Sequence, residues 1–196
     1  MLSQEEAREI FKDSGALMQG HFKLTSGRHS DQYMQCAQVL QYAEHTEKLA
    51  HHIAEKFKDD NIELVIGPAM GGIIVAYEVA RLLKVPGIFT ERKDGEMVLR
   101  RGFMIDAGQR VLVVEDVVTT GGSVREVMNI VEKFGGYVAG VAVLVDRSNG
   151  KVDFGVKQEA VLIMDIQTWE AHKCPLCSEG KIPLIKPGSS DSQERS

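Results

Sequence analysis

No stretch of the sequence approaches the roughly 18 consecutive apolar residues that a bilayer-spanning helix needs, so a membrane protein is not expected. The amino end, Met1 to Phe11, is acidic and amphipathic and lacks the basic-then-apolar order of an export signal, which makes a cytoplasmic location the expectation. Cysteine is scarce. Cys36, Cys174 and Cys177 are the three present; they cannot all pair within one chain, and a reducing compartment keeps them as thiols, so no disulfide framework is implied. Positive charge is also in deficit, with 23 Lys and Arg against 28 Asp and Glu and a formal charge of -5. A general nucleic-acid binder needs a basic excess to neutralise phosphates, so nucleic acid is not an expected partner and any basic site must be local. Two phosphate-binding signatures are missing as well. There is no Gly-Lys-Ser/Thr ending to a glycine loop and no Gly-x-Gly-x-x-Gly after a strand, so nucleoside triphosphatase and dinucleotide readings lack their main residues.

What is present suits one globular α/β domain: 196 residues, 43% hydrophobic and 26% charged. Ser3 and Glu6 have capping-box spacing, and Ala7, Ile10 and Phe11 before Ser14-Gly15 predict a first helix with its stop. A polar, glycine-punctuated loop is expected over 18–30. Leu49, Ile53 and Phe57 recur at helical spacing and predict a second helix near Glu44 to Lys58, with His45, His51 and His52 as solvated surface residues on it. From Glu63 onward, short apolar runs alternate with glycine-rich turns and helical stretches, as in a parallel sheet. The runs are 64–66, 87–90, 111–114, 138–145 and 161–164, with helices expected over 73–83 and 123–134. Ligands of such doubly wound sheets bind beyond the carboxyl ends of the strands, which directs attention to Gly67, Thr90, Glu115 and Asp146.

The most informative segment runs from Val111 to Ser123, Val-Leu-Val-Val-Glu-Asp-Val-Val-Thr-Thr-Gly-Gly-Ser. An apolar strand delivers the carboxylates Glu115 and Asp116, and a loop of small residues, Val117, Val118, Thr119, Thr120, Gly121, Gly122 and Ser123, then opens a helix. Backbone N–H groups and hydroxyls at a helix amino terminus favour a phosphate monoester, and the glycines allow close approach. The adjacent carboxylates suit ribose hydroxyls and a magnesium ion travelling with a pyrophosphate. A sugar is thereby placed between acids and phosphate.

This segment resembles the motif for 5-phosphoribosyl 1-pyrophosphate that defines the type I phosphoribosyltransferases, and other segments are similar to the orotate-using branch of that family. Those segments and the loop cover most of residues 15 to 188. The segment from Phe22 to Ser30 looks like that branch's amino-terminal hood over the base. Gly67-Pro68-Ala69-Met70-Gly71-Gly72-Ile73 is similar to its pyrophosphate loop, in which a tight and sometimes cis turn aims N–H groups at the leaving group. The segment from Thr90 to Phe103 resembles its flexible, basic catalytic hairpin, and Val145-Asp146-Arg147 matches the strand end whose arginine meets the orotate carboxylate.

The resemblance implies a mainly parallel, doubly wound α/β sheet with an amino-terminal hood and a flexible basic hairpin. It implies one domain over 1–188, divided into a hood 1–40, a core 41–170 and a carboxyl-terminal segment 171–188, ahead of a Ser-rich tail 189–196 expected to be disordered. The implied reaction transfers the 5-phosphoribosyl group to orotate, with Mg2+ as cofactor and a homodimer as the assembly. In it Glu115 and Asp116 hold the ribose, residues 117–123 hold the 5-phosphate, Arg92 and Lys93 clamp the pyrophosphate, and Thr119 and Arg147 read orotate. Transfer to a purine or another base, and a donor-sensing transcription regulator of the same fold, are the alternatives. Arg147 and the hood weigh against the first; the lack of a basic DNA-binding helix pair weighs against the second. The resemblance departs where relatives carry lysine at the positions of Thr25 and Gly71, and a lysine and a histidine on a longer hairpin. Here a short Asp94-Gly95 turn stands instead, with Arg100 and Arg101 as the candidates to replace the missing charge. Cys174-Pro175-Leu176-Cys177 is similar to a zinc knuckle, for which His172 and distant Cys36 are the further ligands in view.

Overall fold

In the computed structural model, which describes residues 1–24 and 26–187, the apolar runs become neighbouring strands. They are β3 (Leu64–Pro68), β4 (Gly87–Lys93), β6 (Arg110–Val118), β7 (Tyr137–Asp146) and β8 (Gln158–Ile163). These pair in parallel in the order β4-β3-β6-β7-β8, and β5 (Glu96–Leu99) joins antiparallel outside β4. The chain leaves β3 through α4 (Gly71–Leu83) toward β4, and leaves β6 through α5 (Gly122–Lys133) toward β7 on the opposite side. The connections thus diverge between β3 and β6, which opens a crevice at their carboxyl ends. The loops that border it are 67–72 and 115–123.

Strand alternation sorts the core into two layers. Leu112 and Val114 of β6 pack with Val75 and Val79 of α4 and with Leu49, Ile53 and Phe57, all buried, from α3 (Ala43–Phe57). Val111 and Val113 face the other way, onto Val124, Val127 and Val131 of α5. Each such side chain contributes about 1.5–3 kcal/mol on burial, so the strand that delivers Glu115 and Asp116 is clamped from both faces. The first helix, α1 (Gln4–Asp13), begins with the predicted capping box: Glu6 N donates to Ser3 Oγ at 3.2 Å and Ser3 N to Glu6 Oε2 at 2.8 Å. Gln4 then covers the edge of β8, donating to Val161 O at 3.0 Å and accepting from Ile163 N at 2.8 Å.

Two expectations are corrected. The segment 18–30 is not a loop: β1 (Leu17–Lys23) and β2 (His29–Met34) pair antiparallel within a second sheet of order β10-β1-β2-β9, whose outer strands are β9 (Thr168–Trp169) and β10 (Leu184–Ile185). Its inward positions include His21, His29 and Ser30, and the register shifts between Gln19 and Phe22, so the apolar alternation that reveals a strand is broken. His52 is likewise not solvated. It is 5% exposed, accepts from Leu2 N through Nδ1 at 3.1 Å and meets Glu159 through Nε2 at 3.1 Å, whereas His51 is exposed as expected. The tail 189–196 and Thr25 lie outside the described residues. Among the described residues no helix is long and apolar enough to cross a membrane.

Candidate active site

Strand β6 ends in the acidic pair. Glu115 is 8% exposed, and burial first, then the negative charge of Asp116, push its carboxyl up to about 9 from an ordinary 4.5. Its Oε1 accepts from Asp116 N at 3.0 Å, and Asp116 Oδ1 accepts from Val117 N at 2.8 Å. These bonds fix both carboxylates against the backbone. The loop then turns through Gly121, φ +78°, where any side chain would meet Phe154 and Val152 at 2.9 Å, so only glycine enters α5 this way. No side chain caps that helix. Its first N–H groups are therefore available to an anion, with the helix dipole behind them.

Arg92, Glu115, Val117, Val118, Thr119, Thr120, Gly121, Gly122 and Ser123 line one cleft of about 280 Å³, joined by Glu126 of α5. The chain thus brings together most of the residues singled out in the sequence. Asp116 stands on the other side of the pair, against the second glycine loop: a Cβ at Gly71 would fall 2.1 Å from its Oδ2. A lysine at position 71 would require that carboxylate to move. Gly67 is more constrained still, since its Cβ would lie 2.4 Å from Gly72 O, a backbone atom that has nowhere to go. The Ala69-Met70 peptide between them is cis, and Ala69 N donates to Thr90 O at 2.7 Å.

The hairpin of β4 and β5 closes on Asp94-Gly95, both at positive φ, which gives the short turn predicted. Arg92 projects from it toward the phosphate loop, pairing with Glu126 at 2.5 Å and donating to Gly95 O at 2.8 Å. Lys93 is exposed near the turn. Arg100 and Arg101, the conjectured substitutes for further loop cations, both pair with Glu91, at 3.1 and 2.9 Å.

Arg147 follows β7 and is held by its backbone N–H, which donates to Val118 O at 2.8 Å. Its loop is set by Asp146, whose buried carboxylate accepts from Ser148 N at 2.6 Å and Gly150 N at 3.0 Å. Burial pushes the Arg147 guanidinium below its ordinary value, and its buried Nε has no hydrogen-bond partner among the described residues. A planar guanidinium in that state has donor capacity to offer an anion.

Sequence reasoning missed Glu126, the part Asp146 plays in setting the Arg147 loop, and the approach of Cys36 to the acid pair. Cys36 approaches Asp116 O with Sγ at 3.6 Å, and burial, then Asp116, raises its thiol well above the ordinary value, so it stays protonated. It is not a partner of Cys174 and Cys177 in any metal site, and neither is His172, which is 69% exposed and faces Glu170. The signal for Glu126 was its place on the first turns of α5, one helical turn beyond the loop; Asp146 was read only as a strand end and Cys36 only as a distant metal ligand, and their contacts here have no local signal.

Residues 36–170 match the phosphoribosyl transferase domain family. The orotate phosphoribosyltransferase of Pelotomaculum thermopropionicum is 58% identical over 188 residues, 96% of this chain and 98% of that protein. That of Heliobacterium modesticaldum is 57% identical over 190 residues, covering 96% and 99%. Among solved structures, the orotate phosphoribosyltransferase of Aeropyrum pernix superposes with a TM-score of 0.66 at 27% identity over 80% of this chain and 92% of that one. An adenine phosphoribosyltransferase from Leishmania tarentolae reaches 0.62 at 14% identity over 84% and 90%, a likeness of fold alone. Fold therefore does not select the base, whereas identity above one half across nearly the whole length does select the branch, and the chain belongs to the phosphoribosyl transferase family and, within it, to the orotate phosphoribosyltransferases.

Proposed function

We infer that the chain transfers the 5-phosphoribosyl group from 5-phosphoribosyl 1-pyrophosphate to orotate, releasing orotidine 5'-phosphate and pyrophosphate. The observation that carries this reading is the pairing of an uncapped helix terminus beside the buried Glu115 and half-buried Asp116 with a buried Arg147 Nε that has no partner among the described residues. The first accepts the donor's phosphate and ribose; the second accepts a planar carboxylate.

In this reading the N–H groups of residues 119–123 hold the 5-phosphate and Glu115 and Asp116 hold the ribose hydroxyls. The bond from the anomeric carbon to pyrophosphate breaks as an orotate ring nitrogen attacks it, and the two carboxylates stabilise the positive charge that develops on the sugar. Arg92, Lys93 and the N–H groups of 69–72 meet the leaving pyrophosphate. Arg147 and Thr119 orient orotate, and closure of the hairpin excludes water, favouring transfer over hydrolysis. The donor set at this end of β6 is oxygen only, and a cation there would favour the ionised form of Glu115, so Glu115 and Asp116 are the residues that would hold Mg2+. When bound, Mg2+ neutralises charge on the leaving group. We place the protein in the cytoplasm.

The test offers Mg2+, the phosphoribosyl donor and, separately, orotate, uracil, adenine, hypoxanthine and xanthine. Orotate alone should be consumed; equal turnover of a purine would sink the substrate assignment while leaving the fold intact.

The active assembly in this reading is a homodimer. Met70, Ile74 and Tyr77 are 83%, 44% and 69% exposed at the start and outer face of α4, a patch too apolar to leave in water by preference. Arg92 lies in its own chain's cleft beside Glu126; the hairpin is proposed to leave that position in the dimer and serve the partner's site. Mixing an Asp116→Asn chain with an Arg92→Ala, Lys93→Ala chain should then restore activity in mixed dimers, because one of the two sites is intact. Activity that stays at the parental average in dimers verified by tagged co-purification would place the hairpin in its own chain's site.

A further inference from the structure

We propose that His21, His29, Cys174 and Cys177 form a structural zinc site that fastens the carboxyl-terminal segment to the β1–β2 sheet. Their candidate ligand atoms all lie within 4.8 Å of one another. His21 Nε2 is 3.1 Å from His29 Nδ1, 3.4 Å from Cys174 Sγ and 3.6 Å from Cys177 Sγ, and Cys177 Sγ is 3.3 Å from His29 Nδ1. Tetrahedral zinc with ordinary Zn–N and Zn–S bonds needs ligand separations of roughly 3.3–3.8 Å, so side-chain adjustments of a few tenths of an ångström to about 1 Å seat the ion.

Hydrogen bonding does not explain the cluster. His21 Nδ1 faces Ile182 O at 3.2 Å, and a carbonyl only accepts, so Nδ1 carries the proton and Nε2 presents a single lone pair inward. Three groups converge on that lone pair, and at most one can donate to it well. A cation satisfies all four at once. The bond to Ile182 O is also the outer-shell contact that orients a metal-bound imidazole. Two nitrogens and two thiolates in a closed tetrahedron select a borderline-soft ion such as zinc, and leave no open position for substrate.

The segment also needs a fastening. Between 171 and 187 the one buried residue is Cys174, at 1% exposure; α6 (Pro175–Glu179) buries nothing, and β10 meets β1 through Leu184 and Ile185, 44% and 51% exposed. Apolar burial of that size does not offset the entropy of ordering so many residues. The knuckle is already shaped: Cys174 is the N-cap of α6, Pro175 is its first residue, and Ser178 N donates to Cys174 O at 3.2 Å. Metal binding then supplies the folding free energy of the segment.

The experiment uses untagged full-length protein grown with zinc and dialysed. Elemental analysis should find about one zinc per chain, and cobalt substituted for it should show the intense visible bands of a tetrahedral thiolate site. Cys177→Ser, at a solvent-exposed position, and His29→Ala should each lower retained zinc at least ~10-fold in chromatographically monodisperse protein. Chelation should speed tryptic cleavage at Lys173 and Lys181 while the remainder stays resistant. Absence of metal, an octahedral cobalt spectrum, a Cys174–Cys177 disulfide in freshly isolated protein, or full zinc retention by both variants would each overturn the site. Zinc whose removal leaves cleavage unchanged would overturn the fastening.

Discussion

Arg147→Lys is expected to raise the Michaelis constant for orotate by about 10–100-fold, the loss of a charge-assisted hydrogen bond in a desolvated site, while the donor's constant changes less than about twofold. The charge survives the substitution, but the fork does not. Arg147 places a planar guanidinium whose Nε has no partner among the described residues, and a lysine ammonium cannot present two parallel donors to one carboxylate. Fold should be spared, because the loop is held by bonds that the side chain does not make: Arg147 N to Val118 O, and Ser148 N and Gly150 N to Asp146. Initial-rate kinetics with each substrate varied, alongside a melting curve, test both halves. An unchanged orotate constant would mean that the carboxylate is read elsewhere.

That residue was legible only through the resemblance of Val145-Asp146-Arg147 to a family strand end, whereas the phosphate loop was legible from its own residues. Strand, acids, small residues and helix are contiguous in 111–123, so local order carries the chemistry. The parallel core was equally readable, since each buried strand is a continuous apolar run and each connecting helix keeps its period. What failed was non-local. The second sheet draws β1 and β2 from the amino end and β9 and β10 from the carboxyl end, and its buried histidines look polar until their partners arrive from across the chain. His52 was misjudged in the same way, its partners being Leu2 and Glu159. The cysteine pair was seen, but its further ligands were sought at His172 and distant Cys36, when the topology brings His21 and His29.

Glu115→Gln is expected to make the protein more stable and nearly inactive, with the gain in stability growing from pH 5 to pH 9. In the folded chain the carboxyl titrates near 9, against 4.5 without the fold, because burial and the charge of Asp116 both disfavour its ionised form. The folded state therefore holds a proton that the unfolded state has released across that interval. The stability this proton confers is complete below about 4.5 and is lost as pH climbs toward 9. Glutamine has the same shape and never ionises, so the variant escapes the loss, and its melting temperature should diverge upward from that of the unaltered chain as pH rises. Catalysis moves in the opposite direction. A ribose whose anomeric carbon is becoming positive needs a negative oxygen nearby, and an amide supplies only a weak dipole, so kcat/KM should fall about 100–1000-fold, as when a preorganised transition-state contact is removed. Donor binding to the unaltered chain should release a proton near pH 7.5, as the arriving hydroxyls and Mg2+ favour the carboxylate; calorimetry in buffers of different ionisation enthalpy reads that release, and it should vanish in the variant. A melting difference that stays constant from pH 5 to pH 9 would show that Glu115 is not the group that titrates, and that the acid pair keeps its charge in the folded enzyme.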